Sequence, residues 1–144
     1  MNITIRRLTI EDYDAIIRVW SDAGLPYKPN GRDSRDMIAK EMMLSEVAFL
    51  GLFDGNRMLG VCLANYDGRR GWLNRLAIDP DFRGIGLAGR LIEEGEKFLK
   101  SRGAVVIAGL IEEMNAPSMA CFEKAGYSCL ENITYWTKRD SPDA

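Results

Sequence analysis

The sequence predicts a mixed α+β fold, one mostly antiparallel sheet of six or seven strands with helices on its faces. Three observations carry that expectation. Asp54-Gly55 and Asp67-Gly68 punctuate three successive apolar stretches, residues 47–53, 58–66 and 72–78, as turns punctuate an antiparallel meander. A helical period then sets in, with Ala88, Leu91, Ile92, Gly95, Phe98 and Leu99 on one face. An uninterrupted apolar run, residues 104–111, follows, as a strand covered on both faces requires. Strand, helix and buried strand make a right-handed crossover, so the strands flanking that helix are parallel.

The remaining elements fall around this frame. Residues 2–8 alternate apolar and polar side chains and form a first strand. Thr9 caps the next helix, with Asp12 three residues on in an imperfect capping box. Tyr13, Ile16, Ile17 and Trp20 recur at helical spacing, and Gly24 stops the helix. Residues 25–31 are a loop, and a short helix surrounds Met37, Ile38 and Met42. In the long helix, Glu93–Lys97 and Glu96–Lys100 are spaced as ion pairs on the outer face, and Gly103 ends it. Asn115 caps a last helix that tolerates Pro117 in its first turn and ends at Gly126. Residues 127–130 and 133–137 supply one or two final strands. The 144 residues make a single domain with a frayed tail at 140–144.

Composition narrows the chemistry. Lys and Arg number 19 and Asp and Glu 21, so no global basic field exists to hold nucleic acid or an anionic membrane surface. No histidine is present, which excludes a Ser-His-Asp triad, a Cys-His dyad and a His-ligated metal site. Cys62, Cys121 and Cys129 form no C-x-x-C pair, so no metal site is expected and the thiols read as small buried side chains in a reducing compartment. No stretch reaches the roughly 20 apolar residues of a membrane helix, and the first residues lack a signal-peptide core. A cytoplasmic protein without membrane contact is expected. Core packing is the default for Trp20, Trp72 and Trp136.

The informative stretch is Arg83-Gly84-Ile85-Gly86-Leu87-Ala88-Gly89, between a strand and a helix. Glycines there let the backbone turn sharply, and the first N–H groups of the helix have no internal partner. With the helix dipole they form an anion site suited to phosphate. Gly-Lys-Ser/Thr is absent, so this is no Walker loop. Gly84, Gly86 and Gly89 do satisfy the dinucleotide fingerprint, with Glu112 placed as a ribose-binding acid. Against an NAD(P)-binding oxidoreductase, five residues separate Ile78 from Gly84, and the chain leads in with a meander instead of a βαβ unit. A glycine-containing turn with no ligand also satisfies the loop alone.

Residues 76–88 resemble the acetyl-CoA motif of the GNAT superfamily of N-acetyltransferases, Gln/Arg-x-x-Gly-x-Gly/Ala, with Arg83, Gly86 and Ala88 in register. Asn115 through Phe122-Glu123-Lys124-Ala125-Gly126-Tyr127 resembles the family's later helix, and the element order follows that fold from Asn2 to about Thr137. The resemblance implies acetyl-CoA as cosubstrate, with its pantetheine arm in a gap between the parallel strands 72–78 and 104–111. It implies that backbone groups of Leu76, Ala77 and Ile78 bond that arm, one N–H meeting the thioester carbonyl as an oxyanion donor. Amides of Gly84, Ile85, Gly86, Leu87, Ala88 and Gly89 would cradle the pyrophosphate beside Arg83, and Asn115 would touch the CoA arm.

The implied reaction is attack of a primary amine on the thioester, the acceptor being a small molecule or a peptide. A lysine-like amine of pKa about 10.4 is neutral about once in 2,500 at pH 7, an α-amine of about 7.8 about once in seven, so a base matters more for the former. Glu112 and Asn74 are the candidate catalytic residues, with Glu113, Asp67 and Tyr66 further polar groups near the cleft. Trp72 stands near where some members of the family carry a Glu. Phe122 stands where many members carry the Tyr that protonates the departing thiolate, and one residue of helical rotation points Cys121 elsewhere. A non-catalytic acyl-CoA-binding or sensing module is therefore the rival reading. Arg69, Arg70 and Arg75 could meet an acceptor carboxylate or a CoA phosphate or simply be solvated, and the resemblance implies that the loop Gly24 to Arg32, with Tyr27, helps line the acceptor side. A homodimer is compatible with the sequence.

Overall fold

The computed structural model describes residues 1–144. The elements in chain order are β1 (Ile3–Arg7), α1 (Tyr13–Asp22), α2 (Arg35–Met42), β2 (Val47–Asp54), β3 (Arg57–Tyr66), β4 (Gly71–Ile78), α3 (Leu87–Arg102), β5 (Ile107–Ala108) and α4 (Ala116–Lys124). One sheet runs β1-β2-β3-β4-β5, antiparallel except for the parallel β4–β5 pair that the α3 crossover dictates.

The sheet divides two cores. Ala48, Leu50, Leu52, Leu59, Cys62 and Leu73 meet α3 and α4 on one face. Val47, Phe49, Phe53 and Val61 meet Ile16, Val19, Trp20 and Ile38 from α1 and α2 on the other. β2 and most of β3 are buried because both faces are covered, so their apolar residues run on without alternation. Local signals set the ends of several elements. The Thr9 N–H donates to Asp12 Oδ2 at 2.9 Å, and Arg6 grips the same carboxylate at 2.8 and 2.9 Å, tying β1 to the start of α1. Ser34 Oγ accepts from Met37 N–H at the start of α2.

The sheet has five strands, where the sequence predicts six or seven. Residues 127–130 and 133–137 pair with nothing, and Ile133, Tyr135 and Trp136 are exposed, Trp136 at 88%. Their β-branched and aromatic composition expresses propensity, but propensity makes a strand only where an edge and a packing face receive it. The expected strand over residues 104–111 shrinks to two residues, and Val105 is 92% exposed. Its apolar run lies along one side of the sheet with nothing packed over its outer surface. The thiols also differ from expectation: only Cys62 is buried, and Cys129 is exposed. On α3, Lys97 pairs with Glu93 and Glu94, whereas Glu96 turns away from Lys100 and accepts the Tyr127 hydroxyl at 2.6 Å. Beyond residue 138 the chain folds back on the α1–α2 connection, where Lys28 Nζ donates to the Pro142 carbonyl at 3.0 Å.

Candidate acyl-donor site

β4 is not a regular strand. Leu73, Leu76 and Ile78 all face α3, and a spacing of three between the first two requires one extra residue. The ladder shows it: Val61 pairs with Ala77 and Leu63 with Asn74, so Cys62 alone opposes Arg75 and Leu76. Arg75 absorbs the bulge at φ +57°, the sole residue other than glycine at positive φ.

On its other edge β4 loses its partner early. Gly71 and Trp72 pair with Ile107 and Ala108, and the ladder stops there. Asn74 Oδ1 then accepts the Leu110 N–H at 2.9 Å, a side chain spanning a separation the two backbones no longer bridge. The edge of β4 through Leu76, Ala77 and Ile78 is left open.

The chain leaves β4 through a buried aspartate. Asp79 Oδ1 accepts the Asp81 N–H at 3.0 Å, and Oδ2 meets Arg57 at 3.1 Å and Arg18 at 3.6 Å. Burial disfavours its charge, yet the Asp81 amide and Arg57 outweigh it and hold the carboxyl below its ordinary value. Gly84 and Gly86 then take φ of +79° and +86°, which side-chain-bearing residues adopt only under strain. Through that turn and the first turn of α3, the N–H groups of Gly84, Ile85, Gly86, Leu87, Ala88 and Gly89 have no acceptor in the protein.

These parts meet at a cavity of about 850 Å³. Leu76, Ala77, Ile78, Arg83, Gly84, Gly86, Leu87, Ala88, Gly89 and Asn115 all line it, joined by Phe82, Arg90 and Ile92, by Ala23 and Leu25 after α1, and by Pro117, Ser118, Cys121 and Lys124 of α4. Ile85, also expected at the site, is 54% exposed and outside the lining. Arg83, Arg90 and Lys124 stand against Glu93 and Glu96 there, so the wall carries one more cation than anion. Asn115 Oδ1 accepts from Ser118 N–H at 3.2 Å and caps α4, and the same residue is part of the wall.

The candidate catalytic residues lie elsewhere. Asn74 is committed to Leu110, and Glu112 is an exposed residue after β5 whose carbonyl accepts from Asn115 N–H. Asp67 is a turn residue: amides of Arg70 and Arg69 and the Trp72 indole N–H bond its carboxylate and hold it down at about 2. Phe122 is buried with its ring edge-on to Tyr127 at 5.0 Å. Cys121, expected to point away, is part of the cavity wall, because the ring beside it is the one turned into the core. No single residue type flags Ala23, Leu25 or Arg90 as lining residues; only the packing of α1 and α3 on β4 brings them there.

Comparison with known proteins agrees with this architecture. The profile of the acetyltransferase (GNAT) family matches residues 13–127. An acetyltransferase of Pectobacterium atrosepticum is 32% identical over 130 residues, covering 90% of this chain and 91% of that one. The PaiA N-acetyltransferase of Thermoplasma acidophilum, solved with coenzyme A, superposes with a TM-score of 0.76 at 22% identity, over 86% of this chain and 88% of the other. The aminoglycoside acetyltransferase AAC(6')-Iy, solved with a CoA-linked bisubstrate analogue, gives a TM-score of 0.80 at 16% identity over 96% and 99%. A matched profile across most of the chain, on a sheet split beside a glycine turn, makes this protein an acyltransferase of the GNAT family.

Proposed function

We propose that the chain moves the acetyl group of acetyl-CoA to a primary amine. The observation that carries the reading is the row of six consecutive amides without acceptors, residues 84–89, all but Ile85 of which belong to residues lining an 850 Å³ cavity. Free amides of a left-handed glycine turn running into the first turn of a helix, beside a cavity, fit a multivalent anion such as a diphosphate. The open edge of β4 offers further backbone groups to an amide-bearing arm, in the manner of an added strand. Arg83, Arg90 and Lys124 supply charge for phosphate groups.

Bound acetyl-CoA supplies an activated acetyl group. The chain's own part is to hold, orient and manage protons. An N–H of Leu76, Ala77 or Ile78 donates to the acyl oxygen more strongly as charge gathers there. The amine nitrogen forms the new C–N bond, the C–S bond breaks, and the electron pair leaves on sulfur. Glu112, exposed at the turn after β5, draws the cationic amine and takes its proton directly or through water. Asn74 acts by keeping β4 and β5 apart at the width its bond to Leu110 sets. Phe122 gives no proton, and a thiol of pKa about 8.5 leaves as thiolate without one.

Phe122 is also the residue that favours the rival, a module that binds acyl-CoA without transfer. Calorimetry with acetyl-CoA, CoA, NAD and NADP, followed by thiol release against an amine panel, separates them. Binding of acetyl-CoA with thiol release supports transfer, and binding with no release from any amine supports the rival. Absence of heat with acetyl-CoA at millimolar concentration refutes both.

A further inference from the structure

All the buried side-chain donors without a partner belong to two residues in contact: Nε and Nη2 of Arg75 and Nε1 of Trp20. The Arg75 guanidinium carbon stands 4.3 Å from the centre of the Trp20 ring. Unpaired buried donors are rare because each has given up its hydration for nothing. Nε and Nη2 share one edge of the guanidinium, the edge whose two parallel N–H bonds match the two oxygens of a carboxylate.

The chain's own acid does not fill that edge. Asp33 Oδ2 lies 3.9 Å from Nη2, beyond hydrogen-bond reach, and is held by the Lys28 N–H at 2.8 Å. The backbone points the same way, since Arg75 is the one side-chain-bearing residue in the left-handed region. Such strain persists where the surroundings enforce it, and it concentrates at ligand sites. The place is right as well. Leu76, the next residue, lines the donor cavity, as does Leu25, whose N–H bonds the Trp20 carbonyl at 2.9 Å.

We infer that Arg75, stacked on Trp20, is the acceptor-specificity residue of the transferase and binds a carboxylate carried by the amine, so that the substrate class is amino acids and related amines with a nearby carboxylate. The inference rests on the transfer reading above. A polycation without an acid would meet Arg75 and Arg32 with like charge. Nε and Nη2 are covered while a fifth of the Arg75 side chain stays exposed, so the ligand reaches them by turning the guanidinium or displacing the helix-free connection of residues 23–34.

The test uses the full chain and two readouts. Thiol release from acetyl-CoA is measured with alanine, methionine, glutamate and lysine against their α-carboxamides. Binding of the N-acetyl amino acids and their N-acetyl carboxamides to CoA-saturated protein is measured by calorimetry, which needs no turnover. Wild type favours the free acid by about tenfold or more in both readouts, the worth of a paired charge-assisted contact. Arg75→Gln removes that preference through KM for the acid and leaves KM for acetyl-CoA within about twofold. Arg75→Lys restores part of it, since a point charge lacks the fork. Asp33→Asn strengthens acid binding by removing the competing charge.

A wild type that does not discriminate acid from amide overturns the inference, as does a preference that survives Arg75→Gln. Thiol release without acid preference sinks this assignment and leaves transfer standing. Acid-selective product binding that Arg75→Gln abolishes, with no thiol release from any amine, sinks transfer and the acceptor role together and leaves Arg75 only as a carboxylate-binding residue. Neither signal sinks both.

Discussion

Substituting Gly86 and Gly89 by alanine separates what the turn does for folding from what it does for ligand. Gly86 stands at φ +86°, and an added Cβ meets no atom within 4 Å, so Gly86→Ala suffers from backbone conformation alone. The left-handed region costs an L-residue about 1–2 kcal/mol. Gly89 lies inside α3, and its added Cβ also meets nothing within 4 Å. There alanine gains up to about 1 kcal/mol over glycine. In a chain of this size 1 kcal/mol moves the melting temperature by about 2–4 °C, so Gly86→Ala melts about 2–8 °C lower and Gly89→Ala up to about 4 °C higher. Both residues line the cavity, and there the order breaks. Gly86→Ala turns amides away from the anion, and Gly89→Ala places a methyl where it must approach. Losing one charge-assisted bond weakens CoA by about tenfold or more in each. Melting curves without ligand and calorimetry with CoA read the two effects. A Gly89→Ala protein that is stabilised and binds CoA as wild type does would refute the amide cradle.

Four further outcomes follow. The carboxyls of Asp79 and Asp12 sit below their ordinary value, Asp12 chiefly through its bond from Arg6, so their stabilisation is complete above about pH 5 and lost as pH falls through the lowered values; melting temperature should hold from pH 7 to 5 and drop below about 4, and Asp79→Asn should flatten that acid limb. Asn74→Ala removes the bond to Leu110, so the Leu110 amide should exchange faster, with stability lower by about 1 kcal/mol and acetyl-CoA binding weakened; unchanged exchange at Leu110 would contradict the brace. Phe122→Tyr buries a hydroxyl beside Tyr127, costing about 1–3 kcal/mol where it finds no partner, and should not speed transfer; a rate gain of orders of magnitude would identify the wild type as a crippled enzyme. Under iodoacetamide, Cys129 should label first, Cys121 should be shielded by CoA, and Cys62, its thiol pushed up to about 12 by burial, should label only in denaturant.

What could be read from the residues was what depends on short range. The meander follows from Asp54-Gly55 and Asp67-Gly68, the α3 face from its period, and the sharp turn before α3 from Gly84 and Gly86, whose positive φ the structure shows. What could not be read depends on partners far away in the chain. Residues 133–137 have strand composition, yet nothing in them states that β5 stops after two residues. The run at 104–111 looks doubly covered, because apolar content says nothing about whether a second layer exists. Phe122 packs in the core as its apolar ring leads one to expect, but nothing in the sequence shows that its neighbour Cys121 then turns to the cavity. The β4 bulge was legible in principle: Leu73, Leu76 and Ile78 cannot share a face without it.

That bulge links the two sides of the site. A regular strand would put residues 73, 75 and 77 on one face, and Arg75 would enter the apolar layer under α3 beside Leu73. With one residue extra, Leu76 and Ile78 return to that layer, and Arg75 is carried to the α1 face against Trp20. The same strand, freed from β5 past Trp72, offers its open edge to the donor cavity. Under the proposed transfer, donor and acceptor sides would be set by adjacent residues of one strand. A change that regularises β4, such as deletion of residue 75, would therefore disturb donor binding and acceptor choice together, whereas Arg75→Gln, which keeps the bulge, should alter acceptor choice alone.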